Sequence, residues 1–117
     1  MTDKRMEKLV SLLANKTRAG ELAWEEAEVP YAFLVSFTHG TARIEVRDSR
    51  TFQGNQEFIL KVLNSNGVEV ERVSDETLEI NEAYSMMRSI YEGARRKAMN
   101  VDVALDSMIE DLESGFF

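Results

Sequence analysis

Cysteine is missing from this 117-residue chain. That rules out a disulfide scaffold, a cysteine nucleophile and any cysteine-ligated zinc or iron–sulfur site, and it agrees with a reducing cytoplasm. Histidine and proline occur once each, as His39 and Pro30. With no second histidine and no serine partner at a readable spacing, no nucleophilic triad can be assembled. Apolar runs stop after a few residues, far short of a membrane span. The opening "MTDKRMEKLV" carries early positive charge but leads into no apolar run, so no secretory signal is expected. A basic surplus is also lacking: 14 Lys and Arg against 21 Asp and Glu leave a net charge of −7. Phosphate-driven binding draws on a basic surplus, at least locally, so nucleic acid is not an expected partner. Charge is nevertheless uneven. Arg88, Arg95, Arg96 and Lys97 face only Glu92 in their stretch, whereas Asp102, Asp106, Glu110, Asp111 and Glu113 follow with no base among them.

What is present describes one domain spanning 1–117, long enough to bury a core without covalent staples. Met6, Leu9, Val10, Leu13 and Thr17 recur at three- and four-residue spacing and predict a helix over about 3–18. Thr2 or Asp3 caps its start, and Gly20 stands where helices stop. "ELAWEEAEVP" follows as an acidic connection, its Trp24 expected to plug the edge of the core with the indole N–H bonded to a carbonyl or water.

From Tyr31 the period becomes two. Strands are predicted at about 31–38, 41–48, 56–64 and 67–73. A two-residue His39-Gly40 turn would set Thr38 against Thr41, Val35 against Ile44 and Phe33 against Val46, with Arg43 and Arg47 across from Ser36 and Ala32 on the other face. A three-residue loop of Ser65, Asn66 and Gly67, with Gly67 left-handed, would set Val62 against Val70, Leu63 against Glu69, Lys61 against Glu71 and Ile59 against Val73.

Helical spacing resumes through Ile80, Tyr84, Met87, Tyr91, Ala94 and Ala98, widened by Ala83 and Ile90, and predicts a helix over about 77–99. Val101, Leu105, Met108, Ile109 and Leu112 predict another over about 102–113, capped by Asn100 or Asp102. Met6, Met87 and Met108 fall at core positions, while Met86 lies off the stripe. The expected fold is α+β: an N-terminal helix, a four-stranded antiparallel meander of two hairpins, and two C-terminal helices packed on one sheet face. The ends "LLANKTRAGELAW" and "IYEGARRKAMNVDVALDSMIEDL" resemble a group of small, uncharacterised bacterial proteins. The resemblance implies a shared fold and a bacterial or phage origin, and it brings no activity with it.

Four groups of residues stand out as candidates. "THGTARIEVRDSR" places His39, Arg43, Arg47 and Arg50 in a short stretch, where guanidinium forks suit a carboxylate or phosphate. The plainer alternative is the wet side of an alternating strand, with Glu45 as an internal partner. Leu34, Ile59, Leu63 and Val73 would share the outer sheet face, more apolar surface than a freely solvated face carries, and suggest an interface; the plainer alternative is that the first helix wraps onto that side. The acidic column Asp102, Asp106, Glu110 and Glu113 reads as a solvated face or a dock for basic groups such as Arg95 and Arg96. Phe116 and Phe117, after Gly115, either fold onto the core or form a docking tail. The chain therefore reads as a cytoplasmic binding or regulatory module, a homodimer through its outer sheet face or a dock for another protein, with no cofactor, no metal and no catalysis. The alternatives are a binder of a small anionic ligand such as a nucleotide or carboxylate through Arg43 and Arg47, and an enzyme of unrecognised type.

Overall fold

The computed structural model describes residues 3–51 and 53–115; Thr2, Phe116 and Phe117 lie outside them. Helix α1 spans Lys4–Arg18. The Asp3 carboxylate accepts the Arg5 N–H at 2.8 Å, satisfying a donor that the first turn leaves free. At the other end Gly20 takes φ +74°, so that its N–H reaches the Thr17 carbonyl and the Glu21 N–H reaches that of Lys16. This glycine-dependent reversal closes the helix where the sequence places the stop.

Five strands follow, not four. They are β1 (Glu25–Glu26), β2 (Ala32–Phe37), β3 (Gly40–Asp48), β4 (Gln56–Asn64) and β5 (Glu69–Ser74), antiparallel throughout and in the order β1-β2-β3-β4-β5. The additional strand pairs Glu25 with Leu34 and Glu26 with Phe33. Two acidic residues carry no alternation, so nothing in the pattern marks them as a strand.

Both hairpins differ in register from the expectation. In the first, Thr38 and His39 form the turn and Gly40 already belongs to β3, opposite Phe37. Phe33 therefore faces Ile44, Val35 faces Ala42, Leu34 faces Arg43 and Ala32 faces Glu45. Gly40 is needed for space rather than for a turn conformation: a Cβ there would lie 2.5 Å from the Leu63 carbonyl oxygen on β4. The two-residue offset keeps every side chain on its expected face.

The second hairpin closes as foreseen. Gly67 has φ +79°, the Asn64 side-chain oxygen accepts the N–H groups of Asn66 and Val68, and Leu63 faces Glu69. A bulge then shifts the pairing, placing Glu71 opposite Val62, Arg72 opposite Lys61, Val73 opposite Leu60 and Ser74 opposite Ile59. One extra residue in a strand exchanges its faces beyond that point. Val73, expected outside, joins the core, whereas Val70, expected inside, is 57% exposed. The exchange also keeps Arg72 out of the core and sets it against Glu69.

Helix α2 begins later than expected, at Ala83–Ala98. Between β5 and α2 the polar side chains bind backbone of the same turn and of β4 instead of letting a helix start. Thr77 Oγ1 accepts the Ser74 N–H at 2.9 Å, Asp75 Oδ1 accepts the Phe58 N–H at 2.6 Å, and the Leu78 N–H reaches the Ser74 carbonyl. Leu78 is buried by this turn, and Glu82 enters the helix with φ 60°.

The core lies between one sheet face and the pair α1 and α2. Phe33, Ile44, Phe58 and Leu60 from the sheet meet Val10 and Leu13 of α1 and Met87 and Ile90 of α2. Tyr91 stacks obliquely on both Phe33 and Phe58, with ring centroids 5.5 Å apart in each pair. Trp24 is buried at the edge, as its position suggested, but its N–H donates to Thr17 Oγ1 at 3.0 Å rather than to a carbonyl or water. Thr17 is also where α1 meets α2: a Cβ on Gly93 would fall 2.5 Å from Thr17 Cγ2. Helix α1 thus shares a side of the sheet with α2 and leaves the outer face without a helix.

The last helix, α3 (Val101–Ser114), departs most from expectation. Of the two C-terminal helices only α2 packs on the sheet; α3 turns away after Met99 and Asn100 (φ 52°) and buries none of its residues. Asn100 stands at its N-cap without a side-chain hydrogen bond. Met108, expected in the core, is exposed, while Met86, off the stripe, is half-buried beside Ser11. The radius of gyration is 16.0 Å, against roughly 13 Å for a compact domain of this length. Among the described residues no helix is long and apolar enough to cross a membrane.

Candidate interaction surface

On the outer sheet face the guanidinium groups already have partners. Arg43 grips Glu28 through Nη1 and Nη2 at 2.8 and 2.7 Å, and its Nε donates to Glu45 at 2.7 Å. Lys61 Nζ lies 2.9 Å from the same Glu45 oxygen, and Arg47 reaches Glu57 through Nε and Nη2, both at 2.8 Å. Glu45 and Glu57 are buried, although each points away from the apolar core. The hydrogen bond from Arg43 holds the Glu28 carboxyl below its usual range, and the same bond raises the Arg43 pKa. Burial alone would push Glu57 up, but hydrogen bonds from Ser74 and Arg47 outweigh it and leave the carboxyl below its ordinary value.

The four anion-binding candidates do not converge. His39 is exposed at the hairpin turn and Arg50 is exposed in the loop after β3. Arg47 lies eight residues from His39 along the strand, a backbone separation of more than about 20 Å. The structure joins Arg43 to Glu28, Glu45 and Lys61, and Arg47 to Glu57, as two charge clusters rather than one pocket.

The four apolar candidates are likewise dispersed. Leu34 and Leu63 are half-buried on the outer face, separated by Arg43 and Thr41 in the pairing. Ile59 is only 4% exposed between Glu45 and Ser74, where stems of long charged neighbours cover apolar surface. Val73 is in the core.

Apolar exposure concentrates elsewhere. One region is α3, where Leu105, Met108, Ile109 and Leu112 are 47–65% exposed along one side. The acidic residues Asp102, Asp106, Glu110 and Glu113 occupy the neighbouring side, and Asp102 pairs with Arg96 of α2. The expected dock between the acidic column and a basic end of α2 thus exists at that one pair, within the chain. Arg95 turns instead to Glu92 at 3.3 Å.

The second region is a groove beside α1. A hollow of about 290 Å³ lies among Leu9, Leu12, Leu13, Lys16, Leu22 and Phe37. A second, of about 470 Å³, shares Leu9 and Phe37 and runs to Gly40, Val62 and Val70 at the hairpin tips. Leu12, Phe37 and Val70 are all exposed. The stripe on α3 is legible in the sequence, where it reads as core. The groove is not, because its walls come from α1, the connection after it and two hairpins.

Comparison of the chain with protein-family models, curated proteins and solved structures finds no match.

Proposed function

We propose that the chain is a non-catalytic protein-interaction module that works in the cytoplasm as a homodimer, with the apolar side of α3 as its contact surface. One observation carries the reading: α3 is a regular 14-residue helix with large apolar side chains along one side and none of them buried. An isolated helix of that length is marginal in water, and helices in proteins draw most of their stability from covering such a side. A contiguous exposed apolar strip marks a place where another surface belongs.

The outer sheet face is the weaker candidate for self-association, since Leu34 and Leu63 are separated and Ile59 and Val73 are covered. An anionic ligand at Arg43 or Arg47 would have to displace Glu28, Glu45 or Glu57 from bonds already made.

Light-scattering mass measured across protein concentration tests the choice of surface. The wild type is expected to approach twice the monomer mass. The double variant Leu105→Glu, Ile109→Glu is expected to stay monomeric with its sheet signal intact, and Leu34→Glu, Leu63→Glu to dimerise as the wild type does. A wild type that stays monomeric at every concentration overturns the reading, as does an α3 variant that still dimerises.

A further inference from the structure

Charge narrows what can cover α3. Helix α3 carries five acidic residues and no base, whereas α1 carries five basic residues and one acid, Glu7. On α1 the bases flank the groove. Lys16 lines the hollow, with Glu21 2.9 Å from its Nζ, while Arg5, 3.6 Å from Asp3, and Lys8 lie one turn before Leu9 and Leu12 on the same side of α1. On α3, Asp102 precedes Leu105 and Asp106 precedes Ile109 by three residues, and Glu113 follows Ile109 by four. An apolar strip edged with carboxylates and an apolar groove edged with ammonium and guanidinium groups are complementary in both respects.

A chain's own α3 is poorly placed to fill its own groove. Helix α1 meets α2 through Ser11, whose hydroxyl contacts Met86 Sδ, and through Thr17 beside Gly93. Leu9 and Leu12 lie on another side of α1, and α3 leaves from the α2 side after only Met99 and Asn100. A second copy has no such restriction.

Resting on the reading of α3 as the contact surface, we infer that α3 of each copy docks in the Leu9–Phe37 groove of a second copy, in a reciprocal exchange. The arrangement places the same two surfaces in contact twice, so it closes as a two-fold dimer and leaves no free strip to propagate a filament.

A charge swap tests the exchange. One full-length variant carries Arg5→Glu, Lys8→Glu and Lys16→Glu in α1; the other carries Asp106→Lys, Glu110→Lys and Glu113→Lys in α3. All six positions are exposed, and circular dichroism checks that both variants remain folded. Each variant alone is expected to dimerise at least tenfold more weakly than the wild type, and an equimolar mixture to recover the dimer, because both of its contacts are then of opposite charge. Since the chain has no cysteine, Leu12→Cys in one copy and Met108→Cys in the other supply a second readout: a short bismaleimide should join them into a covalent heterodimer. An α1 variant that dimerises like the wild type, while the α3 variant does not, overturns the exchange and keeps α3 as the contact surface. A mixture that fails to recover the dimer, or cysteines that fail to join, also overturns the exchange. A wild type that never dimerises overturns both.

Discussion

Helices α2 and α3 follow one another with two residues between them, and both carry an apolar stripe, yet their surroundings are opposite. Ala83, Met87, Ile90 and Ala94 of α2 are buried, while α3 buries nothing. The two stripes differ in kind. That of α2 sets small residues and rings, beside Met87 and Ile90, against a surface close by: Gly93 touches Thr17, and Tyr84 and Tyr91 both stack on Phe58. That of α3 is made of large, flexible side chains edged by carboxylates, with no facing surface in its own chain. An amphipathic pattern reports that a helix has a side to cover, and leaves unsaid which surface covers it.

The contrast is most easily broken by truncating one side chain from each stripe. Met87→Ala is expected to cost about 2–5 kcal/mol of folding stability, through lost burial and the cavity left behind. Leu112→Ala should change the unfolding of the dilute chain by no more than about 0.5 kcal/mol, as for an exposed site. Urea denaturation at low protein concentration measures both, and equal losses would mean that α3 is packed within its own chain.

Gly93→Ala sharpens the comparison by asking how closely α2 is held. The added methyl must push Thr17, which also accepts the Trp24 hydrogen bond, so a loss of about 1–3 kcal/mol is expected from overpacking. A matching fall in the thermal midpoint checks it, and an unchanged midpoint would show that α1 can shift aside at little cost. Ser107→Ala, at an exposed position on α3, is expected to leave the midpoint where it is.

The smallest effect concerns the outer sheet face, whose charges are satisfied where those of α3 are mostly not. Glu57 has a folded pKa below its unfolded value, so its contribution is present above about pH 4.5 and is lost as the pH falls through the lower folded value. Arg47→Met removes one of the bonds that hold the pKa down. It should therefore make the decline in stability between about pH 5 and pH 3 shallower. Urea midpoints across that range read the slope, and a slope identical to that of the wild type would mean that Arg47 and Glu57 are not coupled.

Much of the fold is legible in the residues, for reasons that also mark where legibility stops. The change from helical spacing to alternation at Tyr31 places β2 and β3, and Asp3 and Gly20 bound α1, because those signals are local. Register is decided by neighbours. Gly40 reads as a turn residue until β4 is seen pressing against it, and the bulge at Val70 decides whether Val73 or Arg72 faces the core. Helix α2 starts late because Ser74, Asp75 and Thr77 bond to backbone where the spacing alone would start a helix. The outer-face candidates share this origin: Arg43 and Arg47 point outward as alternation requires and Glu45 is a partner legible in the same strand, while Glu28 and Glu57 come from the connection before β2 and from β4. The α3 strip was visible as residues but not as exposed surface, since exposure belongs to the assembled chain.

Hydrogen exchange measured at several protein concentrations shows whether a second copy covers α3. If a second copy covers α3, amide protection in Val101–Ser114 rises with concentration while protection in α2, already packed on the sheet, stays constant. Protection in α3 that is the same at low micromolar and at high concentration would contradict the account, whichever groove was imagined for it.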